Sequence, residues 1–125
     1  MDLINKNYQF PFEKLEIWQL AINYSIYIRK LTKKFPKEEL YNATSQLVRA
    51  ASSVCTNIAE GSGRKNNNDK ARFLEIAFGS LMETMSLSIE NHLMGYLDDE
   101  TLQNIRTLVH ELSNKINGLY NSLKK

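Results

Sequence analysis

The stretch "VRAASSVCTNIAEGSGRKNNNDKARFLEIAFGSL", Val48 to Leu81, decides the fold, because two helical patterns in it are separated by one short break. The break is rich in glycine and asparagine. Gly61 and Gly63 suit the C-terminal cap of a helix, and Asn68 suits the N-cap of the next helix, ahead of Asp69. The sequence therefore predicts that one helix ends near Gly61 and that another begins near Asn68.

Two further breaks punctuate the chain. The proline in "KKFPKEEL" disfavours helix at Phe35 and suits the first turn of a new helix. In "MGYLDDETL", Gly95 follows the end of a helix and Asp98 is a predicted N-cap. Together the breaks predict four helices over about residues 12–34, 36–61, 68–94 and 98–124.

The fourth helix has the clearest apolar pattern, with steps of three and four residues that are typical of a coiled-coil seam. Its members are Leu102, Ile105, Val109, Leu112, Ile116, Leu119 and Leu123. Short connections make successive helices antiparallel. No run of residues alternates between apolar and polar as a strand would. The predicted fold is all-α, an antiparallel up-down-up-down four-helix bundle.

Length and composition fit one domain over residues 1–125, since domains of about 100–150 residues are the most common. The net charge of +2 does not by itself indicate a nucleic-acid-binding protein. The single cysteine, Cys55, rules out an internal disulfide, and we expect neither a signal peptide nor a membrane span. The predicted location is the cytoplasm.

A polar stripe runs beside the apolar seam of the second helix, and residues that recur every three or four positions share one helix face. If the next turn centres near Arg64, residues whose numbers sum to about 130 lie opposite each other. This register pairs Arg49 with Glu83, Asn57 with Glu75 and Glu60 with Arg72. The sequence thus predicts an inward-facing polar ladder that fixes the register of two helices. Its members are Gln46, Arg49, Asn57, Glu60, Glu75 and Glu83.

The rival interpretation of these residues is a catalytic or metal site inside the bundle. Di-iron bundles carry Glu-x-x-His on two helices, but Ile89 and Thr107 stand three residues before the two histidines. We therefore expect no catalytic residue, no metal, no cofactor and no enzyme activity. "GSGRKNNN" lacks the spacing of a phosphate loop. A helix-turn-helix motif stays an alternative, although it would need a shorter second helix.

Two basic clusters remain. We expect the first to be neutralised by Glu38, Glu39, Asp98, Asp99 and Glu100; it comprises Arg29, Lys30, Lys33, Lys34 and Lys37. The second keeps a positive excess at the opposite end of the bundle, around Arg64, Lys65, Lys70 and Arg72, joined by Lys6, Lys14, Lys124 and Lys125. Phosphate groups favour such a cluster through counterion release, so it is the predicted site for RNA or DNA. A solvated lysine-rich rim is the open alternative.

The aromatic residues Tyr8, Phe10 and Phe12 precede the first helix and add to an apolar surface larger than four helices need internally. Such a surplus predicts a subunit interface. The alternative is that this segment folds back over the bundle's own end.

Three segments resemble one known family: "FEKLEIWQLA" (12–21), "FPKEELYNATSQLVRAASSVCTNIAEGSGR" (35–64) and "RFLEIAFGSLMET" (72–84). Together they resemble the four-helix bundle proteins encoded in intervening sequences of bacterial 23S ribosomal RNA genes. That family commonly has proline where this chain has Cys55. Its characteristic polar positions correspond to Gln46, Arg49, Asn57, Glu60 and Glu83.

The resemblance implies an antiparallel bundle, a ring-like homopentamer and no known enzymatic activity. Proteins of this family are also similar in fold to the accessory variability determinant of diversity-generating retroelements. The partners that this similarity implies are nucleic acid and a reverse transcriptase. Two functional hypotheses follow. The first is a non-enzymatic oligomeric scaffold that contacts RNA or DNA through its basic end. The second is a protein-interaction module that assembles on another bundle or a polymerase through apolar helix faces.

Overall fold

A computed structural model of the protein describes residues 9–124. Within this range there are four long helices and no strand, which confirms the predicted all-α fold. The helices are α1 (Glu16–Thr32), α2 (Ser45–Ser62), α3 (Asn67–Leu93) and α4 (Asp99–Leu123). Two short 3-10 helices, Pro11–Lys14 and Lys37–Glu39, and a π-helical turn, Leu40–Thr44, precede α1 and α2.

Side-chain contacts show how the helices run. Between α2 and α3, the hydroxyl oxygens of Ser53 and Ser80 are hydrogen-bonded at 2.8 Å. Between α3 and α4, the Tyr120 hydroxyl donates to Glu75 at 2.8 Å near one end, and His92 contacts Asp99 at 2.6 Å near the other. Residue numbers fall on one helix as they rise on the other, so α3 and α4 are antiparallel. Helix α1 packs against both α2 and α4, which closes a four-helix bundle.

The helix boundaries differ from the predicted ones where local backbone geometry intervenes. Residues 11–14 form a 3-10 turn and Leu15 is extended, so α1 begins at Glu16 and not near residue 12. After Pro36 the chain passes through 3-10 and π turns before α2 begins at Ser45. The N-cap of α3 is Asn66 and not Asn68, because the Asn66 side chain accepts from the backbone N–H of Asp69 at 2.8 Å.

The break between α3 and α4 matches the prediction. Gly95 follows the end of α3 with φ +85°, a left-handed conformation that favours glycine. Asp98 caps α4 and accepts from the backbone N–H of Thr101 at 2.7 Å. Hydrogen bonds from Thr101 hold the pKa of the Asp98 carboxyl below its usual value.

The core lies along the inner faces of all four helices. The predicted seam of α4 is buried at Ile105, Leu112 and Ile116, which are at most 2% exposed. In the π-helical turn that precedes α2, Ala43 is buried, whereas Leu40 is 52% exposed. No helix in residues 9–124 is long and apolar enough to cross a membrane.

Candidate nucleic-acid interface

The connection between α2 and α3 is a short loop, residues 63–66, that is fixed on both sides. Gly63 forms the C-cap of α2, as predicted, while Gly61 lies inside the helix and is buried. A Cβ added at Gly61 would stand 2.8 Å from the Cβ of Phe73, so only glycine lets the start of α3 approach this closely. The Asn66 cap holds the other side of the loop. The loop therefore presents its side chains from a rigid base.

The side chain of Arg64 is held in place by contacts with two neighbouring residues. Its guanidinium lies over the ring of Phe73, 4.6 Å from the ring centroid, and 4.0 Å from the carboxylate of Glu60. The Arg64 side chain is nonetheless 49% exposed. Stacking on an aromatic ring orients the guanidinium without neutralising its charge. Arg64 can therefore present donors to an anion in solution.

The other three predicted cations lie at the same end of the bundle on different faces. Lys65 is exposed in the loop, and Arg72 is exposed on α3. Lys70 is partly buried and lines a cavity of about 240 Å³ together with Leu74 and Leu123. Lys70 and Arg72 are two residues apart, which turns them by about 200° around the helix. We call Arg64, Lys65, Lys70 and Arg72 the tip cations; their part in binding stays a prediction.

Neighbouring elements add to the charge of this end. The ammonium of Lys124, at the end of α4, lies 3.4 Å from the side-chain oxygen of Asn68, and Lys14 is exposed before α1. The carboxylate of Asp69 accepts from the Asn66 side chain at 3.2 Å, which ties it to the α3 cap. Lys6 and Lys125, also expected here, and Tyr8 lie outside the described residues.

The predicted inward orientation of the polar stripe is wrong. Arg49 and Glu60 are exposed, and Asn57 is only half-buried, donating to the backbone oxygen of Ser53 at 2.8 Å on its own helix. The register of the helix pair is nevertheless close to the predicted one: the predicted pairs place Ser53 opposite residue 79, and its partner is Ser80. Small and apolar residues take the interior of α2, and this turns its charged residues outward.

The predicted partners also engage other groups. Glu60 lies near Arg64, and Glu75 accepts from Tyr120, whose hydroxyl pKa is raised by this hydrogen bond. Arg49 and Glu83 line one groove with Gln46. Across residues 9–124, no ion pair within 4.0 Å joins them.

A buried polar seam between α1 and α3 was missed by the sequence reasoning. Thr84 is fully buried; its hydroxyl donates to the Leu81 carbonyl at 2.7 Å and accepts from the Tyr24 hydroxyl at 2.8 Å. Ser88 and Asn91 are also buried, and each donates to a backbone carbonyl four residues earlier. Burial raises the pKa of Tyr24 to about 12. The detectable signal is that these residues continue the apolar row of α3 at helical spacing.

The described part of the chain holds no group of three or more His, Cys, Asp or Glu placed to bind a metal ion. Cys55 is buried on α2, and burial raises the pKa of its thiol. Because the thiolate is the reactive form, a buried thiol of this kind suits packing and not nucleophilic chemistry.

Comparisons with known proteins identify the fold and, separately, the family. The solved structure of a protein of unknown function from the S23 ribosomal protein family of Bacteroides thetaiotaomicron has a TM-score of 0.75 to this chain at 17% sequence identity. The likeness covers 83% of this chain and 97% of that one, and at this identity it shows the fold alone. No curated protein sequence matches the chain. The model of the 23S rRNA-intervening sequence protein family matches residues 13–118, most of the chain. This protein therefore belongs to the 23S rRNA-intervening sequence protein family.

Proposed function

We propose that this protein is a non-enzymatic, oligomeric scaffold that binds RNA through its tip cations, Arg64, Lys65, Lys70 and Arg72. The observation that carries the proposal is Arg64, whose guanidinium is stacked on Phe73 at 4.6 Å yet remains 49% exposed. DNA is the related ligand that the same phosphate chemistry would accept. The proposal places the protein in the cytoplasm, where ribosomal RNA is found.

The geometry of the tip supports contacts to a phosphate backbone. Arg64 and Lys65 project from a short loop at the extreme end of a bundle, and Arg72 extends the charge along α3. Because these cations face different sides of the end, they suit a folded RNA that surrounds the tip more than a single flat duplex. Released counterions would supply most of the affinity, so binding is expected to weaken steeply with salt.

The family description supports the choice of probe. It refers to an intervening sequence of 23S rRNA, and it states nothing about binding. Fragments of 23S ribosomal RNA are therefore the first RNA to test, with a DNA hairpin of equal length as the comparison. A preference for RNA would reflect its groove shape and 2′-hydroxyl groups.

The experiment compares two variants with equal loss of charge. In the tip variant, all four tip cations are replaced by Gln; in the matched control, Arg29, Lys30, Lys33 and Lys37 at the other end are replaced by Gln. Fluorescence anisotropy with labelled rRNA fragments should show affinity on the order of tenfold or more lower for the tip variant. The control should bind nearly as the wild type does. Equal affinity of the two variants would refute the assignment to the tip.

Exposed apolar side chains support self-assembly. Ile76 and Met82 are 41% and 37% exposed on the outer face of α3, with Gly79 between them. Glycine allows a second backbone to approach closely, and exposed apolar area favours association. A ring of five copies is the assembly that the family resemblance implies. Light scattering on the purified protein should give a mass near five chains, and a strictly monomeric mass would contradict this part of the proposal.

A second candidate function is a protein-interaction module that does not bind nucleic acid. Tyr41 and Leu40 favour it, since they are 92% and 52% exposed at the other end of the bundle. Association through apolar faces depends little on salt, whereas phosphate binding depends on it strongly. A salt series with RNA therefore separates the two candidates.

A further inference from the structure

A long groove runs between the second half of α1 and the segment that leads into α2. Its volume is about 920 Å³, well above that of the cavity at the tip. The α1 wall carries Ile26, Arg29, Lys30 and Lys33, and the opposite wall carries Lys37, Leu40, Tyr41, Thr44, Ser45 and Val48. Both rows follow helical spacing of three and four residues. We call this feature the α1–α2 groove.

The two walls differ in chemistry. Arg29, Lys30 and Lys33 make the α1 wall cationic, and all three are exposed. The opposite wall is mainly apolar, with Leu40 and Tyr41 open to solvent and Val48 half-buried. Single exposed apolar residues are ordinary, but adjacent ones beside a groove mark an interaction surface.

Among residues 9–124, the acidic residues at this end of the bundle form no direct ion pair within 4.0 Å with the cations of the groove, Arg29, Lys30, Lys33 and Lys37. Glu39 instead accepts from the Tyr96 hydroxyl at 2.9 Å and from the Asn42 side chain at 3.0 Å. Asp98 is occupied as the cap of α4, and Asp99 contacts His92. No carboxylate lines the groove, so its charge is available to an anionic partner.

We propose that the α1–α2 groove binds an amphipathic helix of another protein, with acidic residues along one flank. A helix that lies between two antiparallel helices buries an apolar row against the wall that carries Leu40, Tyr41 and Val48. Its acidic flank then faces Arg29, Lys30 and Lys33. The longer wall extends over residues 37–48, which corresponds to about three turns of partner helix.

The same features argue against RNA as the occupant. RNA offers sugars, phosphates and base faces, which need hydrogen-bond donors and aromatic platforms. Arg29, Lys30, Lys33 and Tyr41 could serve such groups, but Ile26, Leu40 and Val48 could not, and a phosphate backbone would leave these apolar side chains in contact with water. An acidic amphipathic helix satisfies both walls at once, because its charges and its apolar row lie on separate faces. The proposal is independent of RNA binding at the tip.

The probe is a labelled synthetic helical peptide of about three to four turns, with Leu at i, i+3 or i+4, and i+7, and Glu along one flank. A second peptide carries Lys in place of each Glu. The protein variants are R29E/K30E/K33E in the groove and R64E/K65E/R72E at the tip, which change the net charge equally. A third variant, L40S/Y41S, removes apolar area from exposed positions and should not impair folding.

Fluorescence anisotropy should show that the groove variant binds the Glu peptide about tenfold less tightly than the wild type does. The same variant should gain affinity for the Lys peptide, which a folding defect could not produce. The L40S/Y41S variant should lose affinity for both peptides, and the tip variant should bind the Glu peptide nearly as the wild type does.

Four results would overturn the proposal. The first is failure of the wild type to bind the Glu peptide, and the second is equal weakening by the groove and tip variants, which would indicate non-specific charge attraction. The third is loss of self-association in the groove variant by light scattering, which would assign the groove to contacts between copies of this chain. A loss of rRNA affinity in the groove variant as large as that in the tip variant would make the groove part of the RNA site and would likewise refute it.

Discussion

The bundle contains two rows of polar side chains that differ in charge and in burial. The seam between α1 and α3, around Tyr24 and Thr84, is neutral and buried, and its hydroxyls satisfy one another and the backbone. The stripe on α2, which includes Arg49 and Glu60, is charged and exposed. Neutral groups therefore occupy the interior, and the charges remain on the surface.

The difference has a physical cause. A buried hydroxyl on a helix can donate to a carbonyl one turn earlier and still accept a second hydrogen bond, as Thr84 does. A buried ion must recover a desolvation penalty of several kcal/mol through a well-placed partner. Arg49 forms no ion pair within 4.0 Å among the described residues, and Glu60 lies 4.0 Å from the exposed guanidinium of Arg64. Both charged groups remain exposed to solvent and avoid that penalty.

The largest effect on stability is expected at Thr84. The Thr84→Val substitution keeps the shape of the side chain but leaves the buried Tyr24 hydroxyl without its acceptor, which should lower the free energy of unfolding by about 1–3 kcal/mol. Urea denaturation measures this change. Combining it with Tyr24→Phe should recover part of the loss, because both polar partners are then removed. A Thr84→Val protein as stable as the wild type would show that the seam does not hold the fold.

A smaller effect is expected in alkaline solution. The pKa of Tyr24 is raised from 10.0 to about 12, so the folded state binds more protons between these values and its stability falls as pH rises through this window. At pH 11 the wild type should lose about 1 kcal/mol more than a Tyr24→Phe variant does, each relative to its own stability at pH 9. Urea denaturation of both proteins at the two pH values measures the difference. Parallel losses would mean that Tyr24 is not protected by burial.

The smallest effect is expected at the charged stripe. Glu83 is exposed and forms no ion pair within the described residues, so Glu83→Ala should change the free energy of unfolding by less than about 0.5 kcal/mol. Thermal melting beside an exposed Glu111→Ala control measures it. A decrease of about 3–5 kcal/mol in the free energy of unfolding would instead support the inward-facing ladder, since that is the cost of breaking a buried ion pair.

The sequence was sufficient for the number and order of the helices. Gly63, Gly95 and Asp98 mark ends of the long helices, because caps and breakers act locally. Pro36 marks the start of the 3-10 turn that leads toward α2. The sequence was less informative about boundaries. Leu15 is extended, and residues 40–44 form a π turn. No single residue type in these segments predicts either backbone conformation.

The orientation of the polar residues could not be predicted in the same way. Residues beside an apolar seam share a face, but that face can turn toward a neighbouring helix or toward solvent. Ser53 pairs with Ser80, within one residue of the predicted register, so the outward orientation reflects the rotation of α2 about its own axis and not a slip along it. By contrast, topology alone brought the tip cations to one end, although it did not reveal that Lys70 turns toward a cavity.

The most direct test of the account measures the salt dependence of rRNA binding and the melting midpoint on the same two proteins, the wild type and the variant with Gln at all four tip positions. If the surface charges bind phosphate while neutral groups hold the fold, the melting midpoint should stay close to that of the wild type. The slope of log affinity against log salt should become shallower by about 3. An unchanged slope, or a variant that no longer folds, would contradict the claim.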